Sequence, residues 1–215
     1  MNEQQILIDV LRELDKSKSE LNYGVTIEVP IGVSARHCHL AEEDVNTLFG
    51  TGYQLTKYKN LYQPGQFAAN ETVTIVGPKG SIQQVRILGP VRKKTQIEVS
   101  KTDAYFLGLN PPIRMSGDVA GSSPVTVVGP RGSIYVEEGL IIAKAHIHMN
   151  SHEAEQFMFQ DGQEVEVKLD GMDRSIQLGN VQIRVSPNYK LELHIDTDEA
   201  NAAFVTTGMK GYICK

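Results

Sequence analysis

The chain of 215 residues carries a formal net charge of −5, with 40% hydrophobic and 22% charged residues. That acidic balance argues against nucleic acid as a main partner, and no apolar run approaches the ~20 residues that span a bilayer. No signal-peptide pattern opens the chain, and the cysteines Cys38 and Cys214 make no disulfide framework, so a reducing cytosol is the expected setting.

In chain order, the first stretch stands apart. Leu7, Val10, Leu11 and Leu14 fall at i, i+3, i+4 and i+7, the apolar stripe of an amphipathic helix, and "DKSKSELNYG" follows as a polar linker. Such a stripe either packs on its own domain or docks into a partner's groove. From Tyr23 onward the pattern is mostly β. "VTIEVPIGVSARHCHL", "ETVTIVGP", "IQQVRILG" and "TQIEVS" are rich in β-branched residues, and "EVEVKL", "VQIRVS" and "LELHID" alternate apolar with polar. Short helices are predicted at 41–49, 151–159 and 197–204, each opening with acidic or hydroxyl residues.

The chain also repeats itself. "VTIVGPKGSI" at 73–82 returns as "VTVVGPRGSI" at 125–134, and each copy reads as a β-hairpin around a tight Gly-Pro turn. A phosphate cradle is disfavoured because no helical pattern follows the glycines. A second echo pairs "ARHCHLAEEDVNTLFG" with "KAHIHMNSHEAEQFMF". Duplicated β units without long multiplicity suggest two related barrels.

Four of the six histidines sit in these echoing stretches. On a strand, residues i and i+2 share a face, so His37 and His39 project together, as do His146 and His148, while Cys38 and Ile147 point away. Paired imidazoles about 6–7 Å apart at Cα can converge on one cation. A lone strand histidine is more often structural, but two His-x-His pairs point to metal binding. Further ligands are expected on other strands: His194 in "LELHIDTDEAN" and Glu98 in "TQIEVS" are the candidates, and His152 is read as exposed. Nitrogen and oxygen ligands suit catalytic zinc, with other metals open. Cysteine–histidine catalysis is disfavoured because Cys38 faces away, and no serine sits in a nucleophile elbow.

Taken together, "GVSARHCHL", "LGPVRKKTQIEVS", "SGD", "VVGPRGS", "IIAKAHIHM" and "LELHIDTDEAN" resemble the PduL-type phosphotransacylases, or phosphate propanoyltransferases, from about Val29 to Thr206. The resemblance implies a mainly β fold with two related β-barrel domains capped by short α-helices, preceded by the N-terminal amphipathic helix. Residues 36–144 would form the first barrel, and 23–35 plus 145–215 the second. It implies a cofactor of two zinc ions and coenzyme A as a substrate, with acyl-CoA (propanoyl or acetyl) plus phosphate giving acyl phosphate plus CoA. His37 and His39 match the first metal pair, His146, His148, His194 and Glu98 the set around the second metal, and Arg92 the arginine beside the metals. Metal ions and a planar guanidinium suit this chemistry, which needs no protein nucleophile, so direct attack of phosphate is expected. One position departs: the family usually has arginine just before the second His-x-His, where this chain has Ala145, with Lys144 on the other face of the strand. Any CoA or phosphate contact of that arginine is left open.

The same resemblance reads residues 1–22 as an encapsulation helix and linker. Residues 1–20 would then reach microcompartment shell proteins and a CoA-acylating aldehyde dehydrogenase, with an acyl kinase consuming the product. The expected location is cytoplasmic, inside a bacterial microcompartment of the propanediol-degrading kind. No membrane or nucleic-acid partner is expected, and a homo-oligomer is allowed. Two alternatives stand beside this reading: a cupin-like metal-dependent oxygenase or hydrolase, and a non-catalytic zinc-stabilised scaffold module.

Overall fold

Strands alternate inward apolar and outward polar residues, and two rings of strands close around the apolar sets. In the computed structural model, which describes residues 27–171 and 173–214, the stretch "EVEVKLD" shows the rule, with Val165, Val167 and Leu169 buried between exposed neighbours. The amphipathic stretch at 1–22 lies outside the described residues.

The first ring runs β4 (Phe67–Val76), β5 (Ser81–Gly89), β2 (His37–His39), β6 (Gln96–Glu98), β9 (Ser133–Ala143) and β8 (Ser123–Val128), and β8 pairs back to β4. Strand β3 (Lys57–Asn60) flanks β4, and β7 (Ile113–Arg114) flanks β9. The second ring runs β1 (Ile27–Ser34), β13 (Glu192–Asp196), β10 (His146–Met149), β12 (Ser175–Val185), β11 (Glu164–Asp170) and β14 (Lys210–Cys214). Both rings have one pattern of pairings: β2 with β5 and β10 with β12 are parallel, as are β6 with β9 and β13 with β1, and every other pair is antiparallel. These are two related barrels. Strand β1 precedes the whole first ring in sequence yet closes the second.

Four short helices cap the rings: α1 (Glu42–Phe49), α2 (Lys101–Leu107), α3 (Ser151–Phe157) and α4 (Thr197–Ala203). Three match predicted helices. The fourth, α2, was not predicted: the exposed Tyr105 and Phe106 break its apolar stripe, although Ser100 caps it by accepting from Asp103 N–H at 3.2 Å. Asn150 with Glu153 and Asp196 with Glu199 form capping boxes on α3 and α4.

The repeated hairpins both belong to the first barrel, as β4–β5 and β8–β9, so they do not mark one barrel each. They seal helix ends instead. Lys79 N–H donates to the Leu107 carbonyl of α2, and Arg131 N–H to the Leu48 carbonyl of α1, each at 3.0 Å. These bonds satisfy carbonyls that a helix C-terminus leaves unpaired. A Cβ at Gly129 would lie 2.6 Å from the Leu48 carbonyl oxygen, and one at Gly77 would collide with that of Leu107. The glycines of the repeat are there for this close approach.

Candidate active site

One local pattern recurs at four places and builds the site. Two residues at i and i+2 of a short strand face out of the barrel, the residue between them enters the core, and a helix starts three residues after the second. His37 and His39 precede α1, Gln96 and Glu98 precede α2, His146 and His148 precede α3, and Glu192 and His194 precede α4. The intervening Cys38, Ile97, Ile147 and Leu193 are all fully buried in the two cores. Cores of this density fix the strand, and the strand fixes which way its neighbours point.

Within each barrel two such strands lie antiparallel and adjacent. His37 is opposite Glu98 and His39 opposite Gln96, while His146 is opposite His194 and His148 opposite Glu192. Directly opposed side chains on one face meet across about 4.5–5.5 Å at Cβ. Two groups able to hold a metal ion result: His37, His39 and Glu98, and His146, His148 and His194, each with donor atoms within 4.8 Å of one another. Glu98 therefore stands with the first pair, where the resemblance put it with the second set. Its Oε2 lies 3.5 Å from His37 Nε2, because β6 pairs with β2 and not with a strand of the other barrel.

The protonation states suit ligation. His37 Nδ1 faces the Ala35 carbonyl at 2.9 Å and His146 Nδ1 faces that of Lys144 at 2.8 Å. A carbonyl can only accept, so both rings carry hydrogen on Nδ1, which leaves Nε2 of His146 free and turns Nε2 of His37 toward Glu98. Burial, followed by the neighbouring histidines, pushes His146 down to about 4 and His148 down to about 2. Burial, then His37 and Arg92, pushes His39 down to about 3. These imidazoles are neutral at pH 7 and keep a lone pair for a cation. His37 differs: burial opposes its charge, but the Glu98 carboxylate outweighs that and holds its pKa above the usual value. Glu98 is driven well below the carboxylate range, since His37 and His39 overcome its burial. Among the described residues, the buried His148 Nδ1 has no hydrogen-bond partner. An orphaned buried ring nitrogen beside two further imidazoles fits a metal ligand.

Both groups line one cleft of about 670 Å³ between the barrels, together with Arg92. Arg92 is anchored by its N–H to the Leu40 carbonyl at 2.9 Å, and its guanidinium donates to Ser116 Oγ at 3.1 Å. Gln96 donates to Glu98 Oε1 at 2.6 Å and to Ser116 at 2.9 Å, and accepts Gly117 N–H at 2.7 Å. In the second barrel the corresponding Glu192 shares a hydrogen bond of 2.6 Å with His194. Gln96 and Glu192 fall outside the sequence-predicted set; the signal that finds them is the i, i+2 spacing that singled out the histidines. Lys144 bonds Glu164, so it does not stand in for the arginine missing at Ala145. His152 is exposed on α3, and the Cys38 thiol, pushed up to about 12 by burial, is no nucleophile.

Fold and site together define a twin-barrel protein with two histidine-rich groups and an arginine sharing one cleft. The family model for phosphate propanoyltransferase matches residues 30–206. Proteins named phosphate propanoyltransferase are 56% identical in Priestia megaterium, over 98% of this chain and 94% of that protein, and 54% identical in Thermotoga maritima, over 85% and 87%. One from Salmonella typhimurium is 47% identical over 81% and 83%. The chain belongs to the phosphate propanoyltransferase family, a family of phosphotransacylases, which sets aside the cupin-like and scaffold alternatives.

Proposed function

We propose that the chain interconverts propanoyl-CoA or acetyl-CoA plus phosphate with the acyl phosphate plus CoA, by direct attack of phosphate on the thioester at a site holding two zinc ions. The observation that carries this reading is the shared cleft, in which the two candidate ligand groups and Arg92 face one volume of about 670 Å³. His37, His39 and Glu98 would hold one ion, and His146, His148 and His194 the other. Bound zinc supplies Lewis acidity toward the thioester carbonyl and screens anionic charge.

The protein's own groups do the positioning. Arg92 offers a planar fork to the phosphate, and Ser116 fixes that fork from behind. A phosphate oxygen bonds to the acyl carbon, the C–S bond breaks, and CoA leaves as a thiolate that takes its proton from solvent. With Cys38 buried, this route bypasses an acyl-enzyme. The test is CoA release from propanoyl-CoA and acetyl-CoA, with and without phosphate, alongside metal analysis. Phosphate-dependent release with two zinc ions per chain is expected, and release indifferent to phosphate would overturn the reaction. Labelled acyl group retained on protein when phosphate is withheld would overturn direct attack.

Residues 1–22 are proposed as an encapsulation peptide, supported by the stripe Leu7, Val10, Leu11 and Leu14. The enzyme would then work beside shell proteins and a CoA-acylating aldehyde dehydrogenase in a microcompartment. A reporter fused to residues 1–22 should form puncta in shell-producing cells, and diffuse fluorescence there would refute the idea.

A further inference from the structure

The cleft carries more positive charge than Arg92 accounts for. Arg36, Arg86, Arg92 and Arg184 all line it. Arg36 is paired with Asp103 at 2.8 Å, and Arg86 donates to the Ala69 and Asn70 carbonyls at 3.0 and 2.8 Å. Among the described residues, the Arg92 guanidinium has only the neutral Ser116 hydroxyl as a hydrogen-bond acceptor. The Arg184 guanidinium has no hydrogen-bond or ion-pair partner among the described residues; it lies over the Tyr189 ring, 5.7 Å from the ring centre.

Its placement gives that charge a direction. Arg184 on β12 is in register with His148 on β10, so both side chains leave the same face of the second barrel. The Tyr189 ring packs 4.2 Å from the His148 ring, so Arg184, Tyr189 and His148 form one layer of the cleft wall. Arg92, from the first barrel, feels the Glu98 carboxylate first and then Arg184 and Tyr189 electrostatically. The half-buried Arg184 guanidinium without a counter-ion is costly, and repulsion from Arg92 adds to that cost. An anion between them would reverse the sign of both costs.

We propose that Arg92 and Arg184, one from each barrel, form a two-sided clamp for a phosphoryl oxyanion held across the seam between the barrels. This rests on the transacylase reading and assigns it a residue that the metal-binding motifs do not contain. Arg184 thereby supplies a cationic contact from β12, three strands' worth of sequence away from the alanine at 145. The oxyanion comes either from inorganic phosphate, hence also acyl phosphate, or from the phosphates of CoA.

The test compares wild type with Arg184→Ala, Arg184→Lys and Arg92→Ala, all metal-loaded. KM is measured for phosphate, for propanoyl-CoA and for propanoyl-pantetheine, which lacks the CoA phosphates, and inorganic phosphate binding is followed by calorimetry. Losing a charge-assisted contact should raise the relevant KM about 10- to 100-fold, with Arg184→Lys intermediate because it keeps charge but not the fork. A rise in the phosphate KM with weakened calorimetric binding assigns the clamp to the phosphate substrate. A rise for propanoyl-CoA alone, absent with propanoyl-pantetheine, assigns it to CoA. Unchanged values for all three overturn the clamp. If wild type shows no phosphate-dependent release, the transacylase reading fails, and calorimetric phosphate binding by wild type against Arg184→Ala still decides the clamp. Arg184→Lys, with a similar stem, keeps the test open should the alanine variant fail to fold.

Discussion

Glu192 meets His194 Nε2 at 2.6 Å with the same carboxylate oxygen that accepts Gln63 Nε2 at 3.0 Å. Gln63 belongs to the first barrel, in the loop between β3 and β4, yet its other side-chain bonds also land on the second: Nε2 to the Lys190 carbonyl at 2.9 Å, and Lys190 N–H to Oε1 at 3.1 Å. Burial works against the Glu192 charge, but the bond to His194 prevails and its pKa is lowered. A loop of one barrel thus steadies a candidate ligand of the other, His194, through one carboxylate. Partners that orient a metal-ligating histidine typically govern 10–100-fold in affinity. Glu192→Gln should therefore weaken zinc binding at the His146, His148 and His194 group by about 10-fold or more in a chelator titration. Gln63→Ala should do so less, while costing about 1–3 kcal/mol in denaturant unfolding, because it strands buried polar partners. Unchanged zinc affinity in both would mean that β13 alone holds His194. The imidazoles were legible in sequence because His-x-His on a strand has few bland explanations. Glu192 was not, since a strand glutamate usually marks a solvated face. Nor was the partner of Glu98, because which strands become neighbours is a property of the closed ring.

At the scale of elements, side-chain capping marks where three of the four strands carrying the candidate ligands end. Three of the four helices have a side-chain cap one residue before their start, so the chain turns just past the ligand pair. In the α4 box, Glu199 Oε2 accepts Asp196 N–H at 2.8 Å while Asp196 Oδ1 accepts Glu199 N–H at 2.9 Å. Burial, then the Asp196 and Asp198 charges, raises Glu199 to about 7. A carboxyl raised above its unfolded value of 4.5 contributes stability that is full below pH 4.5 and is lost as pH rises through about 7. Glu199→Gln keeps an acceptor for Asp196 N–H and removes that titration. Its unfolding free energy should be flatter than wild type between pH 4.5 and 8, and higher at pH 8, in urea melts. Parallel curves would place the charge in solvent and dismiss the burial. The helices at 42–49, 151–157 and 197–203 were legible from these polar starts, whereas α2 was not, its exposed Tyr105 and Phe106 breaking the apolar stripe.

Across the whole molecule, the barrels divide two tasks. Alternation and turn residues made strands and hairpins legible, but both hairpin repeats fall in one ring, because sequence likeness records local turn packing and not ring membership. Ring membership has a chemical consequence. Each group that could hold a metal ion lies within one barrel, since β2 pairs with β6 and β10 with β13. Metal loading should then be separable even though catalysis is not. His37→Ala combined with His39→Ala should leave one zinc per chain after dialysis, held at His146, His148 and His194. The reciprocal pair, His146→Ala with His148→Ala, should also leave one. Glu98→Gln should lower affinity only where His37 and His39 remain as ligands, and change nothing in the variant that lacks them. Elemental analysis reads the stoichiometry directly, and loss of both ions from either double variant would mean that ligands are shared across the seam. Both double variants should nevertheless lose phosphate-dependent CoA release, because the cleft takes Arg92 from one barrel and Arg184 and the second histidine group from the other. Independent loading with joint activity is what two self-sufficient barrels facing one substrate volume predict.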